Sequence, residues 1–298
     1  MLQQHIEDYL ASLRIANASP HTIKNYRHDL EALAQFVGME TDVRDIGVPV
    51  VRAHIHRLAE TGVNAVSRNR ALAVFKAFGK YLFAEGILDD NIFEVVPRAK
   101  VPSRLPSVPT VETVFRLLDG EMPTAWPARD RALLELLYGT GVRNEEAAHL
   151  AVDEIRSDGL ILIRGKGRKQ RLVRIGGALK NALETYLPER TARLSKLKGD
   201  SQALFLGVAP RNGLEHLTTR SVGRILHDAC VAKGIDPLHP HQLRHACATH
   251  MLDNGAPLVV IQKILGHEKL STTALYAFVS PKLMQRTYNH AHPSARIA

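Results

Sequence analysis

Residues 159–175 read Gly159-Leu160-Ile161-Leu162-Ile163-Arg164-Gly165-Lys166-Gly167-Arg168-Lys169-Gln170-Arg171-Leu172-Val173-Arg174-Ile175. Two short β-rich apolar runs flank a glycine-containing basic turn, the pattern of a β-hairpin. Everything around the hairpin carries helical spacing instead. Before it, 111–118 and 128–138 are predicted helices, the second burying Leu133, Leu136 and Leu137. After it, helix resumes at Ala178 and returns over 221–231, 241–253 and 257–265. This half of the chain is therefore expected to be mainly α with one small β-sheet, a mixed α+β domain.

The first hundred residues show no strand-like alternation. Ser19-Pro20 is an N-cap followed by proline at the first helical position. Behind it Ile23, Tyr26, Leu30, Leu33 and Val37 recur at spacings of three and four. Further helices are expected over 48–60, ended by Gly62, and over 65–85, with Leu72, Phe75, Phe78, Tyr81 and Leu82 on the apolar side and Gly86 beyond the end. Such a set makes a helical bundle. Pro97, Pro102, Pro106 and Pro109 then crowd one stretch with Arg98, Lys100 and Arg104 between them, which disfavours helix and gives an extended connector. The expected organisation is a helical bundle over 1–96, a linker over 97–109 and a second domain over 110–298.

The chain has 298 residues, 45 % hydrophobic and 23 % charged, with a mean hydropathy of −0.12. Those values exclude wholesale disorder and a membrane-embedded protein. No apolar run approaches the ~20 residues that a membrane span needs. Cys230 and Cys247 are the only cysteines, too few for a disulfide framework or a cysteine-rich metal motif. Glu7 and Asp8 interrupt the first apolar stretch, so a signal peptide is not expected and the protein is assigned to the cytoplasm. The net charge of +9 is unevenly placed: residues 1–100 hold 12 Lys and Arg against 12 Asp and Glu, and residues 101–298 hold 27 against 18. A basic domain beside a neutral one points to a polyanionic partner, nucleic acid above all.

Four segments of the basic half carry the chemistry. Gly139-Thr140-Gly141-Val142-Arg143 reads as a glycine-rich turn that delivers an arginine to a helix start. The hairpin supplies Arg164, Lys166, Arg168, Lys169, Arg171 and Arg174 with no acid among them. In His241-Gln242-Leu243-Arg244-His245 a helix puts His241, Arg244 and His245 on one face. Leu265-Gly266-His267 is followed by Ser271-Thr272-Thr273 and Tyr276. His241 and His245 could form a zinc pair, but no third ligand lies near them in sequence and Arg244 would repel the cation.

Taken together, a phenol, two arginines, a lysine and imidazoles form an inventory for attack on a phosphodiester without metal or cofactor. Guanidinium forks match the charge that gathers on non-bridging oxygens in the transition state. A tyrosine with an ordinary pKa near ~10 needs a proton acceptor or a positive pocket. A lysine can protonate the departing oxygen. No carboxylate cluster suited to two metal ions is present in the sequence.

These motifs resemble the tyrosine recombinases of the phage-integrase family, of the Xer type, over nearly the whole chain. Ser19-Pro20-His21-Thr22 with Tyr26, Asp29 and Leu30 resembles the first helix of a SAM-like core-binding domain. Arg143, Lys166, His241, Arg244, His267 and Tyr276 follow the family's order of catalytic residues, and 288–293 resembles the tail of its XerC branch. The resemblance implies that Tyr276 attacks the scissile phosphate to form a 3′-phosphotyrosyl bond, and that Arg143 and Arg244 clamp the non-bridging oxygens. It assigns Lys166 as general acid, His241 to proton transfer and His267 to support of the phosphate and nucleophile.

The same resemblance implies a double-stranded recombination site as substrate, with a tetramer acting on two duplexes. The tail would donate a segment to a neighbouring subunit, beside a related XerD-like recombinase, with a DNA translocase as an activator. Arg164, Arg168, Lys169 and Arg171 are expected to line the DNA, with Lys24, Arg27, Arg68, Arg70 and Lys76 on the first domain. Departures from the pattern are Asn144-Glu145-Glu146 after the first arginine, Asn91-Ile92 for an Asn-Pro, and Ala246-Cys247 for a Ser-Phe. Expected functions are chromosome-dimer resolution at a dif-like site or, alternatively, the integrase of a mobile element. A type IB topoisomerase shares the chemistry, and a non-catalytic DNA-binding protein would share only the basic surface.

Overall fold

The computed structural model describes residues 1–101, 107–165, 169–207 and 215–266. The chain divides into two compact units, Met1–Arg104 and Leu105–Ala298, each with its own core.

The first unit is helical: α1 (Leu2–Ile15), α2 (Pro20–Val37), α3 (Val48–Glu60) and α4 (Ala65–Ala84). The Ser19 hydroxyl accepts the Thr22 backbone N–H at 3.1 Å and Pro20 opens α2, so the cap read from sequence forms. Asn64 caps α4 in the same way through the Ser67 N–H. Leu30 and Leu33 of the α2 stripe are fully buried, and Ile23, Tyr26 and Val37 pack against the core from its edge. Phe75, Phe78 and Leu82 of α4 fill the centre with Leu2, Ile6 and Leu10 of α1 and with Phe93. Gly79 sits in the middle of α4 because residues 91–93 cross it: a Cβ there would lie 2.1 Å from Asn91 Oδ1.

The second unit is built around α6 (Pro127–Thr140), which packs on α8 (Gly177–Lys196) and α10 (Pro240–Asp253). Around these lie α5 (Val111–Leu118), the short α7 (Asn144–Ala148), α9 (Thr219–Ala232) and α11 (Leu258–Leu265). The sheet among the described residues is two-stranded, β1 (Leu160–Arg164) antiparallel to β2 (Gln170–Arg174), with Leu160 opposite Arg174 and Arg164 opposite Gln170. Ile161, Ile163 and Val173 turn into the core, while Leu172 stays largely exposed. One sequence expectation changes here. Gly139 and Thr140 belong to the last turn of α6, and the left-handed residue that ends the helix is Gly141, at φ +60°. In that last turn the Thr140 hydroxyl donates back to the Leu136 carbonyl at 2.6 Å.

Candidate active site

Gly141 reverses the chain so that Arg143 becomes the N-cap of α7. Three residues on, Glu146 reaches back and its Oε2 accepts the Arg143 backbone N–H at 2.8 Å, one half of a capping box. Its Oε1 accepts Arg143 Nη1 at 2.9 Å. Arg143 therefore leaves the helix start already oriented, with its side chain 39 % exposed.

From the hairpin, Arg171 points inward and meets the same carboxylate. Its Nη1 and Nη2 donate to Glu146 Oε1 and Oε2 at 2.9 and 2.7 Å, a bidentate pair. Burial works against the charge on Glu146, but the bonds from Arg171 and Arg143 outweigh it and hold the carboxyl at about 2. Among the described residues, the other basic side chains of the hairpin are exposed: Arg164 is mostly so although its Nε bonds Glu154, and Lys169 and Arg174 are exposed.

The third element is α10, begun by Pro240 and by Gln242, whose Oε1 accepts the His239 N–H at 2.9 Å. Arg244, only 4 % exposed, lies one turn in. Its guanidinium donates to the carbonyls of Gly141 and Leu265, the latter at 2.8 Å. Arg143 Nη2 donates to the Gly266 carbonyl at 3.2 Å and Arg171 Nε to that of Ile264 at 2.8 Å. Three arginines from three separate segments thus cap three consecutive carbonyls where α11 ends. A helix C-terminus has unpaired carbonyls and the negative end of the dipole, so it draws cations together.

His241 and His245 share the face of α10 that carries Arg244. The pKa of His241 falls below the ordinary imidazole value, first through the protein packed around it, then through the charges of Arg244 and Arg143. Burial and then His241 and Arg244 depress His245 likewise. Both rings are neutral near pH 7, and a neutral imidazole can accept a proton. Among the described residues, no three His, Cys, Asp or Glu side chains come together to hold a metal ion.

Of the residues expected to act on DNA, Arg143, His241 and Arg244 converge, and Arg171 joins them from the inside. Lys166, Arg168, His267 and Tyr276 lie outside the described residues. In the first unit Lys24 is exposed on α2. Arg27 donates to Glu7 and Glu31, and Arg68 to the Val63 carbonyl. Arg70 pairs with the buried Asp29, and Lys76 donates to the Glu94 carbonyl. Glu146 was missed in the sequence as a functional residue. The available signal was an acid at the third position of a helix that starts with an arginine, the spacing of a capping box.

Residues 110–282 match the phage integrase family, and residues 6–86 match its N-terminal SAM-like domain. The chain belongs to the phage integrase family, the tyrosine recombinases. A protein of Oceanobacillus iheyensis named tyrosine recombinase XerC is 36 % identical over 301 residues, which cover 99 % of this chain and 97 % of that one. One of Myxococcus xanthus with the same name is 37 % identical over 298 residues, covering 98 % and 96 %. Among solved structures, XerA recombinase superposes with a TM-score of 0.52 at 26 % identity, covering 98 % of each chain. XerH recombinase in a post-cleavage complex on a palindromic difH substrate superposes at 0.73 with 20 % identity, covering 96 % of this chain and 84 % of that one, and shares the fold. Among the described residues no helix is long and apolar enough to cross a membrane.

Proposed function

We propose that this protein is a site-specific recombinase that cuts and rejoins double-stranded DNA through a 3′-phosphotyrosyl intermediate. The observation that carries this reading is the convergence of Arg143 and Arg244 on adjacent carbonyls, Gly266 and Leu265. That point lies one residue before His267 and ten before Tyr276 in the sequence. A phosphate brought there meets two guanidinium groups whose orientation is fixed before it arrives, the arrangement that stabilises a pentacoordinate transition state without reorganisation.

The resemblance to the tyrosine recombinases implies the residue roles. The Tyr276 oxygen attacks phosphorus and gives up its proton, for which neutral His241 is the acceptor. The bond from phosphorus to the 5′ oxygen breaks, and Lys166 protonates that oxygen. His267 supports the phosphate and nucleophile. A 5′ hydroxyl of a second duplex then attacks the phosphotyrosine and restores the diester, so the bond energy is conserved and no nucleotide is consumed. Arg164, Lys169 and Arg174 offer charge to the DNA backbone beside this point. The protein works in the cytoplasm as part of a tetramer on two duplexes, with a related recombinase as partner. Its site is dif-like and its task is to resolve chromosome dimers, a reading supported by full-length relatives that bear the XerC name.

The test is covalent trapping on a nicked dif-like duplex. Wild-type protein is expected to form an SDS-resistant adduct, and Tyr276→Phe to bind the duplex but form none. An adduct with the Phe variant rejects the nucleophile. Binding is expected to weaken steeply with salt as phosphate contacts release counterions, and a flat response rejects the DNA groove.

A further inference from the structure

We propose that Arg171 is a positioning residue for strand cleavage, which holds Glu146 so that the guanidinium of Arg143 stays available to the phosphate. This rests on the recombinase reading above and assigns Arg171 a role distinct from the DNA contact expected of a basic hairpin.

The geometry is that of an internal strut. The Arg171 side chain is 12 % exposed, and all three of its guanidinium nitrogens are engaged: Nε with the Ile264 carbonyl, Nη1 and Nη2 with the two oxygens of Glu146. Each nitrogen of that fork has a protein partner. The Glu146 carboxylate in turn receives four donors, two from Arg171 and two from Arg143, which fills its lone-pair sites. The Arg143 guanidinium meets the carboxylate through Nη1 alone, and its other terminal nitrogen reaches Gly266.

Without Arg171, half the carboxylate would be vacant and buried beside a single remaining cation. A buried carboxylate in that position draws the available guanidinium into a bidentate pair. Arg143 would collapse onto Glu146 and away from the phosphate position. Gly266 shows how closely the strut is fitted. A Cβ there would come within 3.1 to 3.3 Å of Arg171 Cδ, Nη1 and Nε. One side chain thereby ties together β2, the start of α7 and the end of α11, the segments from which Lys166, Arg143 and His267 are reached along the chain.

The experiment compares Arg171→Ala, Arg171→Lys and the double variant Arg171→Ala with Glu146→Gln, using the nicked dif-like duplex. Affinity, its salt slope and the single-turnover cleavage rate at saturating DNA are measured for each. Arg171→Ala is expected to keep the wild-type affinity and salt slope while cleavage slows by about tenfold or more, as a displaced transition-state group would cause. The double variant is expected to cleave faster than Arg171→Ala alone, because a neutral amide does not trap Arg143. Arg171→Lys, one ammonium in place of a fork, is expected to fall between wild type and Ala; it also supplies the answer if the Ala variant does not fold.

A salt slope reduced by about one with an unchanged cleavage rate would make Arg171 a phosphate contact and overturn the proposal. So would no recovery in the double variant, or Lys cleaving as fast as wild type. Failure of the wild-type protein to form any adduct would instead count against the recombinase reading itself.

Discussion

Arg244 Nη2 donates to the carbonyl of Leu265 at 2.8 Å, and the same guanidinium bonds the carbonyl of Gly141 from the other side. A residue expected to clamp phosphate is therefore also a structural bolt between the end of α6 and the end of α11. Its substitution has two separable consequences. Arg244→Ala leaves two carbonyls unpaired in a buried site, at a cost of about 1–3 kcal/mol each. It should also slow cleavage by ~10² or more, the scale for losing a transition-state charge donor. Trp126 is the only tryptophan and lies in the second unit, so its fluorescence follows unfolding of that unit. Urea titration read this way, beside the adduct-forming rate of the folded fraction, measures both. A folded variant that cleaves at the wild-type rate would remove Arg244 from the clamp.

Glu146 makes the second unit acid-sensitive in a defined window. Burial opposes its charge, yet its arginine partners bring the folded carboxyl from 4.5 to about 2. A group with a depressed folded pKa stabilises the protein above its unfolded value and loses that contribution as pH falls through the folded one. Stability followed by Trp126 fluorescence is thus expected to be complete above pH 4.5 and to drain away toward pH 2. Glu146→Gln should start less stable at neutral pH and show a flatter decline across that window. Equal slopes for the two proteins would mean that the carboxylate is not held by the arginines.

The parts of this molecule that were legible in its sequence are the local ones. Ser19-Pro20 announces a cap because the hydroxyl and the N–H it satisfies are three residues apart, and the hairpin of 159–175 shows itself because its turn and strands are contiguous. Arg143, His241 and Arg244 were readable as a motif. What stayed hidden is tertiary. Nothing local says that Arg171 turns inward to Glu146, 25 residues away, or that Arg244 reaches across 103 residues to Gly141. The basic residues of the hairpin look alike in sequence, and only burial separates Arg171 from Arg164. The first unit carries the same lesson, since Arg27 and Arg70 read as free basic charge until Glu7 and Asp29 fold against them.

Gly79 offers a test in which two forces have opposite signs. In the interior of an exposed helix, Gly→Ala gains about 1 kcal/mol from propensity. Here the added Cβ would sit 2.1 Å from Asn91 Oδ1 and 2.4 Å from Phe93 Cδ2. Asn91 also bonds the Lys76 carbonyl and the Phe93 N–H, so pushing it aside breaks both. Overpacking costs about 1–3 kcal/mol, which outweighs the propensity gain. Gly79→Ala should lower the thermal midpoint of the first unit by far-UV circular dichroism and leave the Trp126 transition in place. A rise in that midpoint would show that residues 91–93 do not need the glycine.

His54 gives the first unit its own response to acid. The ring is 3 % exposed, tilted between Phe36 and Phe75 at centroid distances of 5.0 and 5.7 Å, and neither nitrogen has a hydrogen-bond partner among the described residues. Desolvation, helped by the charge of Arg57, drives its pKa below 6.5. The unfolded chain therefore takes up the proton first, and stability present above pH 6.5 is lost as pH falls. His54→Leu removes the proton site while keeping an apolar group between the two rings. The variant should match or exceed wild type below pH 6.5 and lose the pH dependence of the circular-dichroism transition that wild type shows there. The Trp126 transition, which reports histidines of the other unit, should keep its dependence in both proteins. If His54→Leu left the slope of the first unit unchanged, the imidazole would have to be charged in the fold, and its burial between two phenyl rings would need a counter-ion that the core does not supply.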